Sequence, residues 1–170
     1  MIKNTNGLFP SIATLVGSLL LYLMLSPNLL ANSDTDMAFI LNAKNPPKGV
    51  VFEVAESEQD ALTWALPKIQ SYTQDLHKKY PSMKIAVVTH GTEQFSLLSE
   101  NEYQYRSIHK TVKNLVNGNI PVHICGTHAS WYDKDAMDFP DYVDVAPSGP
   151  AQIRAYQRQG YALIGINNTP

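Results

Sequence analysis

Apolar positions along the chain alternate between two periods. Residues 48–54 and 83–89 are short, nearly continuous apolar runs rich in Val and Ile, the pattern of strands buried on both faces. Between them Ala61, Leu62, Ala65, Leu66, Ile69, Tyr72 and Leu76 recur at helical spacing, which predicts a first crossover helix. Ser57 with Asp60 three residues on resembles a capping box at its start, Pro67 predicts a kink or interruption near residues 63–66, and Lys78 and Lys79 suit its C-terminus. Residues 92–102 hold Phe95, Leu97 and Leu98 without a clear period and read as a loop with a short helical turn. Tyr105, Ile108, Val112, Leu115 and Val116 restore helical spacing, and Gly118 in Asn117-Gly118-Asn119 suits a C′ stop.

A third apolar run at residues 120–125 ends in Cys125-Gly126. Residues 131–141, rich in Asp and aromatic side chains, lead through a turn at Phe139-Pro140 to a short fourth strand at 142–146. Pro147-Ser148-Gly149-Pro150 opens a third helix through Ile153 and Tyr156, Gly160 closes it, and residues 161–166 form the last strand. Five strands separated by helices predict an α/β fold: a flavodoxin-like three-layer sandwich with a five-stranded parallel sheet and helices on both faces. The order 2-1-3-4-5 would bring Glu56-Ser57 and Cys125-Gly126 to one crevice between strands one and three, with His90 on the neighbouring strand.

The N-terminal region follows a different pattern. Lys3 precedes residues 12–25, which carry no charge and are bounded by Ser26-Pro27. That run is short of the roughly 20 apolar residues of a spanning helix, so residues 1–31 read as a signal peptide, with an uncleaved membrane anchor as the alternative. Cleavage is expected after Ala31, or after Ser33 with Ala31 and Ser33 as the small pair. Residues 32–47 then read as a polar linker, 48–166 as the domain and 167–170 as a tail. Cleavage after Ala31 leaves 139 of the 170 residues and, by removing Lys3, takes the formal net charge from −2 to −3. A mildly acidic chain lacks the basic face that nucleic acid or an anionic membrane surface would require.

Cys125 is the single cysteine, so an exported chain has no internal disulfide. A lone thiol there is either a working group or a small buried side chain. A cysteine nucleophile needs its pKa, about 8.5 when free, lowered by amides or a cation. The amides after Cys125 and the imidazole of His128 offer both, and His90 is a further candidate acid, base or charge partner. His123, two residues before Cys125 in a strand, shares its face and reads as a packing residue. His90, His123, Cys125 and His128 together also suit zinc or copper, although only one Cys-x-x-His pair is present. No Gly-x-Ser-x-Gly, phosphate loop or dinucleotide fingerprint occurs, and no cofactor is expected.

Residues 49–54, 87–91, 117–125 and 159–164 together resemble the DsrE/DsrF-like family of small α/β proteins associated with sulfur relay, and the resemblance extends over about residues 49–166. In members with a working cysteine, the thiol ending the third strand is proposed to carry a persulfide, and Cys125 occupies that position. Relay members are typically cytoplasmic, whereas this chain carries a candidate export signal, and the continuation Gly126-Thr127-His128-Ala129-Ser130 differs from the best-known relay motif. The resemblance implies a homo-oligomer and a sulfur-donor or acceptor protein as partner. The expectation is an exported, periplasmic sulfur carrier or thiol-redox protein in which Cys125, His128 and His90 form the site. The second reading is a non-catalytic oligomeric binding module or a Cys/His metal-binding protein.

Overall fold

The computed structural model describes residues 32–168, so the candidate signal peptide lies outside the described residues. Five strands, β1 (Gly49–Val54), β2 (Lys84–Thr89), β3 (Val122–Cys125), β4 (Asp144–Ala146) and β5 (Tyr161–Gly165), form one wholly parallel sheet. The helices are α1 (Ser33–Leu41), α2 (Leu62–Lys79), α3 (Arg106–Asn117), α4 (Gly126–Ser130) and α5 (Gly149–Arg158). The three-layer α/β class expected from the periodicity is therefore the observed one.

The strand order is β4-β3-β2-β1-β5, which differs from the expected 2-1-3-4-5. From β1 the chain steps in one direction to β2, β3 and β4, and α5 then returns it to the far side of β1. The apolar stripes of α2 and α3 (Leu66, Ile69, Leu76, Ile108, Val112) share a core with Val50, Phe52, Val87 and Ile124 on one sheet face. Ile153 of α5 covers Val51, Ala86 and Val88 on the other. The crevice expected between strands one and three does not exist, because β2 fills it.

Local departures have physical causes. No capping box forms at Ser57: α2 begins at Leu62 with Ala61 as its cap, and the Ser57 hydroxyl donates to Glu58 instead. The helix runs unbroken through Pro67. An interior proline costs about 3 kcal/mol, whereas each fully buried Leu or Ile contributes roughly 1.5–3 kcal/mol, and Leu62, Leu66, Ile69 and Leu76 are all buried here. At the end of α3, Gly118 keeps an ordinary φ of −83° and Asn119 takes the left-handed turn at φ 61°. Asparagine is the residue that best replaces glycine there.

The stretch read as a linker contains α1. Asn32 caps it by accepting the Asp34 N–H at 2.9 Å, and its Met37 and Ile40 are buried in the main core. Two tyrosines dock it. Tyr72 donates to Asp34 and its oxygen accepts from the Ser33 hydroxyl at 3.2 Å, and the Tyr80 hydroxyl reaches the Ile40 carbonyl at 3.1 Å. Burial, then the Asp34 hydrogen bond, pushes the Tyr72 phenol up to about 12.

Candidate functional site

Strand alternation sends Glu53 of β1, His90 at the end of β2, and His123 and Cys125 of β3 to the same face of the sheet, the one covered by α5. Cys125 is the last residue of β3 and the N-cap of α4. Its Sγ accepts the His128 N–H at 3.4 Å, and the residue is only 4 % exposed. It borders a cleft of about 290 Å³ lined also by His90, Thr127, His128, Trp131, Ser148 and Pro150. A hollow of about 750 Å³ along α1 is larger, but it is wide open and lined by no titratable group other than Lys44.

Both histidines expected at the site are in this cleft. His90 Nε2 lies 2.8 Å from Glu53 Oε1, and this hydrogen bond, opposed by partial burial, raises the imidazole pKa. Glu53 accepts the Nε2–H, and a hydrogen bond to the residue's own backbone adds to the rise. His128 is set in an aromatic surround, its ring 5.5 Å from Phe95, 5.3 Å from Trp131 and 5.4 Å from Tyr132. Its Nδ1 is buried without a hydrogen-bond partner. Gly149, at the start of α5, packs against both residues: an added Cβ there would lie 2.6 Å from His90 Cβ and 3.3 Å from Cys125 Cβ.

Beneath the cleft, two adjacent buried residues tie three strand ends together. The carboxylate of Glu93, fully buried, accepts the N–H groups of Glu56 at 2.7 Å, His90 at 3.1 Å and Gly91 at 3.0 Å, and the Thr89 hydroxyl. Gln94 clamps the Cys125 backbone, accepting its N–H at 2.9 Å and donating to its carbonyl at 3.4 Å. The exits of β1, β2 and β3 are thus fixed by one dipeptide in the 3-10 segment Thr92–Leu97. Gly91 has to be glycine, since an added Cβ would sit 2.3 Å from the Glu93 carboxylate and 2.4 Å from the Glu56 carbonyl.

Glu56 is not brought to the thiol. It is bound on the β1 side of Glu93, where burial and then the neighbouring Glu93 and Glu58 charges raise its carboxyl pKa. His123 shares the sheet face with Cys125 but is fully engaged, Nδ1 donating to Asp144 at 2.6 Å and Nε2 accepting from Tyr156 at 2.7 Å. The arrangement pins α5 to β3 and β4. Among the described residues, no three His, Cys, Asp or Glu side chains are grouped to hold a metal ion. Sequence reasoning did not identify Glu53, Glu93, Gln94 or Gly149 as site residues. For Glu53 a signal existed, a lone carboxylate within an otherwise apolar strand.

No protein-family model and no curated protein matches the chain. Solved structures do. The protein of unknown function MTH1491 from Methanobacterium thermoautotrophicum is 24% identical at a TM-score of 0.56, over 68% of this chain and 96% of that one. The ychN protein from E. coli is 12% identical at a TM-score of 0.52, over 69% of this chain and 99% of that one. At these identities the likeness establishes the fold.

Proposed function

We propose that the chain is an exported DsrE/DsrF-like protein in which Cys125 carries sulfur as a persulfide, or exchanges thiols, acting in a homo-oligomer. The observation that carries this reading is the position of the only thiol: at a strand end, on a cleft shared with His90 and His128, with its backbone clamped by Gln94. In the transfer, the Cys125 sulfur attacks the terminal sulfur of a donor persulfide, R–S–SH. A new S–S bond forms at Cys125 as the donor S–S bond breaks, giving Cys125–S–SH and R–SH. The Cys125 proton passes through an imidazole to the leaving R–S⁻, so atoms and electrons balance without an oxidant. His90 is the candidate for that proton, because it lines the cleft beside Cys125 and its Glu53 partner holds the ring and keeps it basic. His128 lines the same cleft. Residues 1–31 would direct export to the periplasm. Among the described residues no helix is long and apolar enough to cross a membrane.

The test is Cys125 alkylation by a small neutral reagent at neutral pH, in the natural chain and in His90→Gln. The reading predicts that the natural chain reacts faster than free cysteine and that the substitution slows it severalfold. A rate below that of free cysteine, unchanged by His90→Gln, favours the second reading. That reading also has an observation behind it, since a thiol 4 % exposed and capping a helix can be purely structural.

A further inference from the structure

The loop after α4 exposes three large apolar side chains in a short segment: Trp131 is 72%, Tyr132 55% and Met137 91% exposed. Trp131 also lines the Cys125 cleft, so this shelf is continuous with it. Tyr132 stands edge-on to buried Phe95 at 4.9 Å, and Phe95 lies against His128. The shelf is held in shape by its own hydrogen bonds. Asp135 and Asp138 form a reciprocal capping box around Met137, and the Lys134 N–H reaches the Ala129 carbonyl of α4 at 3.1 Å.

Acidic side chains surround it. Asp133, Asp135 and Asp138 lie in the loop, with Glu100 beside it. Lys134, the loop's single cation, is engaged by Glu100 at 2.8 Å and by Asp138 at 3.9 Å. Exposed Trp, Tyr and Met are the side chains enriched at protein interface cores, and like charges facing each other across an interface are strongly disfavoured. The cleft alone falls just below the 300–1,000 Å³ typical of small-molecule pockets.

From these observations we infer that residues 131–138 form a docking surface for a basic protein partner, whose apolar tip rests on Trp131 and Met137 and brings its sulfur to Cys125. The inference rests on the sulfur-handling reading for what is delivered, but not for the binding itself.

The test separates the two. Two peptides of equal length and apolar content, one rich in arginine and one in glutamate, carry serine in place of cysteine so that no exchange takes place. Trp64 and Trp131 are the only tryptophans, so emission in a Trp64→Phe background reports the shelf. The basic peptide is expected to shift Trp131 emission and to bind at least about tenfold more tightly than the acidic one at low salt, with the difference collapsing at high ionic strength. The double substitution Asp135→Asn with Asp138→Asn, which keeps the turn's hydrogen bonds, should weaken that preference. Equal binding, or unmoved emission with both peptides, overturns the docking surface. Cys125 alkylation is followed alongside: a reactive thiol with no peptide preference removes only the docking surface. An inert thiol with preserved preference keeps the surface and removes the sulfur reading.

Discussion

Replacing Glu93 with glutamine exchanges one carboxylate oxygen for an NH₂ at a fully buried point where four donors converge. With the amide oxygen placed at Oε1, it still meets Thr89, His90 and Gly91, but these become neutral hydrogen bonds. Each loses about 1 kcal/mol relative to its charged form. The NH₂ then faces the Glu56 N–H, donor against donor, and an orphaned buried amide costs about 1–3 kcal/mol more. Relief from desolvating a buried charge offsets part of this, so a net loss of about 3 kcal/mol is expected, near 10 °C in Tm for a domain of this size. Urea unfolding should show the midpoint fall with an unchanged slope. A loss under about 1 kcal/mol, or a gain, would refute the reasoning that this carboxylate holds the strand ends together.

Further consequences can be measured on the same chain. Gly149→Ala puts a Cβ against the root of the His90 side chain, which cannot swing away. It should cost about 1–3 kcal/mol and change the Cys125 alkylation rate, and an unaffected rate would contradict the cleft geometry. Burial holds the His109 imidazole below its ordinary pKa, with Tyr142 donating to its Nδ1 and its Nε2 donating to the Ser96 carbonyl. Its stabilising contribution is therefore complete above the unfolded value of 6.5 and is lost as the pH falls below it, so the deficit of His109→Gln should shrink on acidification. His90, raised by Glu53, behaves oppositely: its contribution is complete below 6.5 and is lost as the pH rises through the raised folded value. The deficit of Glu53→Gln should accordingly shrink toward alkaline pH, and urea midpoints across the range check both signs. A chain beginning at Asp34 lacks the Asn32 cap and Ser33, which is fully buried against Tyr72. It should be less stable by about 1–2 kcal/mol than one beginning at Asn32, and equal melting temperatures would contradict the docking described for α1.

What could be read from sequence was what depends on local periodicity. The five strands, the helical stripes and Cys125 at a strand end all follow from apolar spacing within a few residues of themselves. Strand order did not, because it depends on which sheet face each helix covers, and α5 was placed on its face by Ile153 against Val51 and Val88 rather than by anything within the helix alone. The sequence points to His90 only as an edge neighbour of a crevice that does not form. Its place in the cleft comes from β2 lying directly beside β3. Glu93 and Gln94 were hidden for a different reason. Buried polar residues in an aperiodic segment look like solvated loop until their partners, up to 37 residues away, are known. Residues 33–41 lie in the stretch that reads as a polar linker because it is short of periodicity, yet burial of Met37 and Ile40 is enough once Tyr72 and Tyr80 hold the helix.

The central claim is that Cys125 accepts sulfur. Its most direct measurement is the intact mass of the purified chain after incubation with a low-molecular-weight persulfide, followed by removal of the donor and fragment mapping. The expected result is a gain of the mass of one sulfur atom, located on Cys125, reversed by a thiol reductant and absent in Cys125→Ser. A folded chain whose mass is unchanged, or whose added sulfur persists in Cys125→Ser, would contradict it.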